Sequence, residues 1–172
     1  TVDLSLTTAQ VSTGSASGDI LSNFENLIGS AYNDTLRGDD DNNIVEGGIG
    51  SDYIYGNAGD DTLRGGDGHD NLLGGEGADH LDGGEGWDYV RYILSGSGVT
   101  VSLEDNTAFG GEAEGDTFAG IEHMVGSNFD DRLEGSGGIN HFYGQDGNDT
   151  LAGLAGGDYL NGGNGVDTAD YS

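Results

Sequence analysis

The chain has 172 residues, 36 of them glycine, with no cysteine or proline and a formal net charge of −28. On charge and hydropathy alone such a chain belongs with disordered sequences, and without cysteine no disulfide can compensate for a thin core. Four Lys and Arg against 32 Asp and Glu exclude direct binding to nucleic acid or to an anionic membrane surface, and no stretch is apolar and long enough to span a bilayer.

In chain order, the first segment alternates polar and apolar residues (Val2, Leu4, Leu6), which reads as strand. Asp19 to Ile28 reads as a further strand, with a short helix as the alternative; Phe24 and Leu27 are positioned to stack on Leu36, the first inward leucine of the repeats. The chain does not open on Met and shows no signal peptide at Thr1, so it is read as a fragment or a processed piece.

Seven nine-residue repeats then run from Gly29 to Arg91: GSAYNDTLR, GDDDNNIVE, GGIGSDYIY, GNAGDDTLR, GGDGHDNLL, GGEGADHLD and GGEGWDYVR. After Tyr92, Ile93 to Val99 is expected to be a short loop between two units. Thr100-Val101-Ser102-Leu103 then repeats Thr1-Val2-Asp3-Leu4, and Ile121 to Ser127 repeats Phe24 to Ser30. Five more repeats run from Gly126 to Asp170: GSNFDDRLE, GSGGINHFY, GQDGNDTLA, GLAGGDYLN and GGNGVDTAD. The layout predicts two units: residues 1–92, a lead and a seven-repeat roll, and residues 93–172, a linker and lead with a five-repeat roll.

The shared pattern is Gly-Gly-x-Gly-x-Asp-x-apolar-x. Positions one to six predict a turn, in which glycine allows φ > 0 and lets main-chain carbonyls approach an ion; the best-patterned glycines are Gly47, Gly50, Gly56, Gly59, Gly65, Gly68, Gly74, Gly77, Gly83, Gly86, Gly144, Gly147, Gly162 and Gly165. Position six supplies carboxylates at Asp34, Asp52, Asp61, Asp70, Asp79, Asp88, Asp131, Asp149, Asp158 and Asp167, replaced by Asn43 and Asn140 in the second turn of each run. Six to eight carboxylate and carbonyl oxygens are what Ca²⁺ prefers. Positions seven to nine predict a short strand whose middle residue points inward: Leu36, Val45, Ile54, Leu63, Leu72, Leu81 and Val90, then Leu133, Phe142, Leu151, Leu160 and Ala169.

Two repeats make one coil of an all-β, right-handed parallel β-roll, so turn i stacks on turn i+2 and a cation fits between their carboxylates. The two runs offer up to eight such gaps; eight Ca²⁺ would bring −28 to about −12. Metal-free, the chain repels itself, so folding and metal binding are expected to be one event. The early turns carry Tyr32 and Phe129 where later turns have glycine, and are expected to be weak or empty caps. The strongest sites are expected where Asp52 meets Asp70, Asp61 meets Asp79, Asp70 meets Asp88 and Asp149 meets Asp167.

These repeats resemble the repeats-in-toxin (RTX) family of secreted bacterial proteins, and as nonapeptides they cover 108 of the 172 residues. The resemblance implies a calcium-dependent β-roll, type I secretion and folding outside the cell. Similar repeats occur in secreted proteases, lipases, cytolysins, adhesins and alginate epimerases, so it implies a module and leaves the parent activity open. No HExxH or GxSxG is present, and the chain is not expected to be an enzyme. His69, His80, His123 and His141 are expected to be surface residues. Trp87, Tyr53, Tyr55, Tyr89 and Tyr92 are read as covering the faces and end of the roll, with sugar stacking as the sharper alternative. Two further roles are carried alongside the calcium-folded module: a glycan-binding module, and a unit that self-associates head to tail.

Overall fold

A computed structural model describes residues 1–10 and 14–172. In chain order the strands are β1 (Val2–Asp3), β2 (Asn26–Ile28), β3 (Thr35–Arg37), β4 (Ile44–Ile49), β5 (Tyr53–Ala58), β6 (Thr62–Gly68), β7 (Asn71–Glu76), β8 (His80–Gly86), β9 (Tyr89–Arg91), β10 (Thr100–Ser102), β11 (Thr107–Phe109), β12 (Thr117–Ala119), β13 (His123–Val125), β14 (Arg132–Glu134), β15 (His141–Asp146), β16 (Thr150–Ala152), β17 (Tyr159–Asn164) and β18 (Thr168–Ala169). Among the described residues the only helical element is a 3₁₀ turn at Gly111–Ala113.

The strands stack as a parallel solenoid with two walls. One wall is a single eight-stranded sheet, β1-β3-β5-β7-β9-β13-β15-β17, with one strand per coil. The facing wall is split into β12-β8-β6-β4-β2 and β11-β10-β14-β16-β18. Parallel neighbours ordinarily need a long crossover; here the crossover is the other half of the coil, so the period of 18 residues places Leu36 opposite Ile54 and Val45 opposite Leu63. Between the walls runs a file of buried side chains, among them Leu36, Val45, Ile54, Leu63, Leu72, Leu81, Val90, Leu133, Phe142 and Leu151. Each buried aliphatic side chain contributes about 1.5–3 kcal/mol. In the last described coil Leu160 is partly buried and Ala169 is exposed.

Three expectations change. First, strands are longer than three residues in the regular coils: β4 to β8, β15 and β17 continue into the next repeat, which narrows the turn to about positions four to six. Second, the segment after Tyr92 is more than a loop. Residues 92–115 leave the coil; β10 and β11 form an antiparallel pair, and β10 lies against β14 to start the third sheet. The chain then rejoins the roll where β12 pairs with β8 and β13 with β9. Third, Phe24 is exposed, while its neighbour Leu27 is buried opposite Val45. Of the strand expected over Asp19 to Ile28 only Asn26–Ile28 forms, while the second lead re-enters the coil as β12 and β13.

Candidate metal centre

The turns line the two edges of the solenoid and chain their aspartates together. On one edge the N–H of Asp34 donates to Asp52 Oδ1 (2.7 Å), Asp52 to Asp70 (2.8 Å) and Asp70 to Asp88 (2.7 Å). The series continues from Asp88 to Glu122 Oε2 (3.0 Å) and, further along, from Asn140 to Asp158 (2.9 Å). On the other edge it runs from Asn43 to Asp61 (2.7 Å), Asp61 to Asp79 (2.8 Å) and Asp79 to Asp116 (2.9 Å). Beyond the excursion it resumes from Val99 to Asp131 (2.7 Å), Asp131 to Asp149 (2.8 Å) and Asp149 to Asp167 (3.1 Å).

Apart from Asp34, which opens its ladder, one oxygen of each position-six carboxylate is therefore spent on the backbone, and the fate of Oδ2 sorts the turns into two kinds. In the first turn of each run it is also satisfied: Asp34 Oδ2 accepts from the N–H (2.7 Å) and hydroxyl (2.6 Å) of Ser30, and Asp131 Oδ2 from the N–H of Ser127 (2.7 Å). In the second turns the Oδ1 of Asn43 and Asn140 accepts from the N–H of Asp39 (2.8 Å) and Ser136 (2.9 Å). In six later turns, at Asp52, Asp61, Asp70, Asp79, Asp88 and Asp149, Oδ2 is buried and has no hydrogen-bond partner.

Position two makes the difference. Gly48, Asn57, Gly66, Gly75, Gly84 and Gln145 all have φ between +85° and +111°, a conformation foreign to most side chains. In the first two turns of each run position two is Ser30, Asp39, Ser127 or Ser136; none of these has positive φ, and each offers its N–H to the position-six oxygen. Position-one glycine has a separate role. A methyl group on Gly65 would collide with Asp70 Oδ2 and with the carbonyl oxygen of Gly83; Gly47, Gly56 and Gly144 repeat the arrangement with Asp52 and Gly65, Asp61 and Gly74, and Asp149 and Gly162. At each of these glycines a carboxylate oxygen from one turn and a main-chain carbonyl from the next stacked turn converge, too close to admit any side chain.

Unneutralised charge on these buried carboxylates is unfavourable. Burial pushes Asp79 up to about 8, helped by neighbouring Asp116 and Asp61 and opposed by the Asp61 N–H. Burial likewise raises Asp61, Asp70, Asp88 and Asp149 to about 6. Among the described residues no three His, Asp or Glu side chains converge, so any cation shell draws most of its oxygens from the main chain. An all-oxygen set of carboxylate and carbonyl on a pliant turn fits Ca²⁺, and fits poorly the strict small octahedron of Mg²⁺.

Two members of the ladders, Asp116 and Glu122, escape sequence reasoning because neither follows a Gly-x-Gly turn. The signal was present in their phase: Asp116-Thr117-Phe118 and Glu122-His123-Met124 each read as positions six to eight. Two other expectations are corrected. His123 is buried, its ring 4.2 Å from that of Tyr89 and 4.5 Å from that of His141, and burial lowers it to about 4. Tyr92 is inside the roll, where its hydroxyl donates to Asp116 Oδ2 at 2.8 Å.

Among the described residues no helix is long and apolar enough to cross a membrane. Comparison with curated proteins gives no match. The family profile for the RTX calcium-binding nonapeptide repeat (4 copies) matches in overlapping segments, residues 22–54, 37–72 and 64–92, then 116–138, 125–160 and 134–169. Its one internal gap falls on the excursion between β9 and β12. With that profile over more than half the chain and a parallel solenoid bearing its aspartates on the turns, the chain belongs to the RTX calcium-binding nonapeptide-repeat family, as a calcium-binding structural module.

Proposed function

We propose that this module is the part of a secreted or cell-surface bacterial protein that stays unfolded until it meets extracellular calcium, and that its ions bind at the six turns marked by Asp52, Asp61, Asp70, Asp79, Asp88 and Asp149. The observation that carries the reading is the set of six buried carboxylate oxygens without a hydrogen-bond partner, since buried charge is tolerated only when paired or bound to metal. The first two turns of each run satisfy these oxygens internally and need no ion. Calcium here shapes the chain; extracellular modules of this type bind at about 10⁻⁴–10⁻³ M, well above intracellular calcium, which keeps the chain unfolded before export.

The test is a calcium titration of the isolated chain, followed by far-UV circular dichroism and native mass spectrometry. A cooperative gain of β signal at about millimolar Ca²⁺, with about six ions in the folded species, is expected. A fully folded spectrum in excess chelator overturns the reading.

A further inference from the structure

On the outer face of the eight-stranded wall, four successive coils stack their position-seven rings into one column. Tyr89 lies opposite His123, His123 opposite His141, and His141 opposite Tyr159. The ring centroids along it are 4.2, 4.5 and 5.6 Å apart. Trp87, the only tryptophan of the chain, closes over the middle, 5.6 Å from the His123 ring and 6.2 Å from that of His141.

Packing alone does not account for a histidine at the centre of this column. His123 is 5% exposed, and both of its ring nitrogens are buried without a hydrogen-bond partner. Buried polar groups are costly when unpaired, and a phenylalanine would fill the same space without that cost. The half-buried ring of His141 makes no hydrogen bond either, among the described residues. His80 shows the contrast. It also occupies position seven, but on the outer face of the facing wall, where it is exposed and its Nδ1 lies 3.1 Å from the Thr117 hydroxyl. Burial also holds His123 uncharged at neutral pH, which leaves a nitrogen lone pair free to bind a metal.

We propose that His123 and His141 form a second kind of metal site in this roll, for a nitrogen-preferring divalent transition ion, Cu²⁺ above all. The two residues are in register on adjacent parallel strands, β13 and β15, and rotation of the half-exposed His141 ring lets both imidazoles reach one ion at about 2.0–2.1 Å. Water completes the shell, since among the described residues no third His, Asp or Glu converges there. Ligand type keeps this site apart from the turns: imidazole suits copper, zinc and nickel, with Cu²⁺ the tightest of the series, while carboxylate and carbonyl oxygens suit Ca²⁺. Trp87, Tyr89 and Tyr159 supply the apolar surround that limits access of solvent to such a site. The location has a consequence. The wall carrying β13 and β15 runs unbroken past the excursion, whereas the facing wall is split there, so a shared ion fastens strands where only one sheet is continuous.

The experiment is a Cu²⁺ titration of the chain in saturating Ca²⁺, read by tryptophan fluorescence, electron paramagnetic resonance and circular dichroism. Trp87 reports directly, because a paramagnetic ion on the neighbouring imidazoles quenches it. The expected result is saturable quenching at one Cu²⁺ per chain, unaffected by further Ca²⁺, with hyperfine splitting from nitrogen. His141→Gln should raise the Cu²⁺ midpoint about tenfold or more, since loss of a mere supporting group already costs that much, and should leave the calcium-folded circular dichroism spectrum unchanged. His123→Gln should weaken Cu²⁺ in the same way, and His80→Gln should have no effect. Quenching that survives His141→Gln, that excess Ca²⁺ reverses, or that comes with oxygen ligands alone places the copper on the carboxylates and overturns the proposal. Absence of saturable quenching overturns it as well.

Discussion

Replacing Asp70 by asparagine should push the protein in opposite directions with and without calcium. Its Oδ1 accepts the Asp52 N–H at 2.8 Å, its Oδ2 has no partner, and burial, with Asp88 and Asp52 nearby, raises its pKa from 3.8 to about 6. That rise of about two units corresponds to about 3 kcal/mol against the charged form near neutral pH. Asparagine keeps the acceptor for Asp52 and nearly the same volume, and removes the charge. In EDTA the Asp70→Asn roll should therefore gain up to about 3 kcal/mol, read as a lower concentration of an excluded osmolyte needed to restore the β signal at pH 7.5. In calcium the same variant lacks an anionic ligand, and its folding midpoint should move several-fold higher. Asp34→Asn is the control. Its Oδ2 is already held by Ser30, so the calcium midpoint should barely move and EDTA should reveal no gain. If Asp70→Asn loses stability in both conditions, or shifts the calcium curve no more than Asp34→Asn does, the idea that unpartnered oxygens mark the ion sites is refuted.

Acidification should partly replace calcium. The folded pKa values of Asp61, Asp70, Asp88 and Asp149 lie at about 6 and that of Asp79 at about 8, all above 3.8. The folded state thus binds more protons, and the roll's stability is full below about 4 and falls as pH rises through 6 to 8; circular dichroism in EDTA should show β signal appearing as pH drops, while the calcium midpoint at fixed pH should rise on acidification because protons compete for the same oxygens. Leu72→Ala, at a fully buried position in the file between the walls, should cost about 2–5 kcal/mol and raise the calcium midpoint; an unchanged midpoint would show that folding and binding are separate. Gly66 has φ +111° and its Cβ would collide with the Gly48 carbonyl oxygen, so Gly66→Ala should shift the calcium midpoint upward far more than Ala155→Gly, at an exposed turn position.

The period of nine made the parallel coil, the inward file and the aspartates at the edges legible, because each rests on a residue type recurring at one phase. The stretches between the periods were less so. The excursion between β9 and β12 has no repeat to betray it, and Asp116 and Glu122 enter the ladders without the glycines that announce a turn. The two kinds of turn were half legible: the oddness of the opening turns was visible in Tyr32, Phe129, Asn43 and Asn140, but its cause lies in main-chain conformation at position two, where Asn57 and Gln145 adopt the left-handed form as Gly66 does. His123 was misread because burial there depends on Trp87, Tyr89 and His141 coming together from three different strands or turns, a neighbourhood that no local pattern records.

The edge ladders also have a sense of direction. In every rung the amide belongs to the earlier residue and the carboxylate to the later one, as from Asp52 to Asp70 and from Asp61 to Asp79. A solenoid made this way is vectorial, like a crystal with two unlike faces: any cut across its ladders leaves amide donors on one side and carboxylate acceptors on the other. Two donor sides set against each other would oppose donor to donor, and two acceptor sides would add carboxylate to carboxylate. Mirror-image pairing is thereby disfavoured by the backbone itself, and only coils running in the same sense can share a rung.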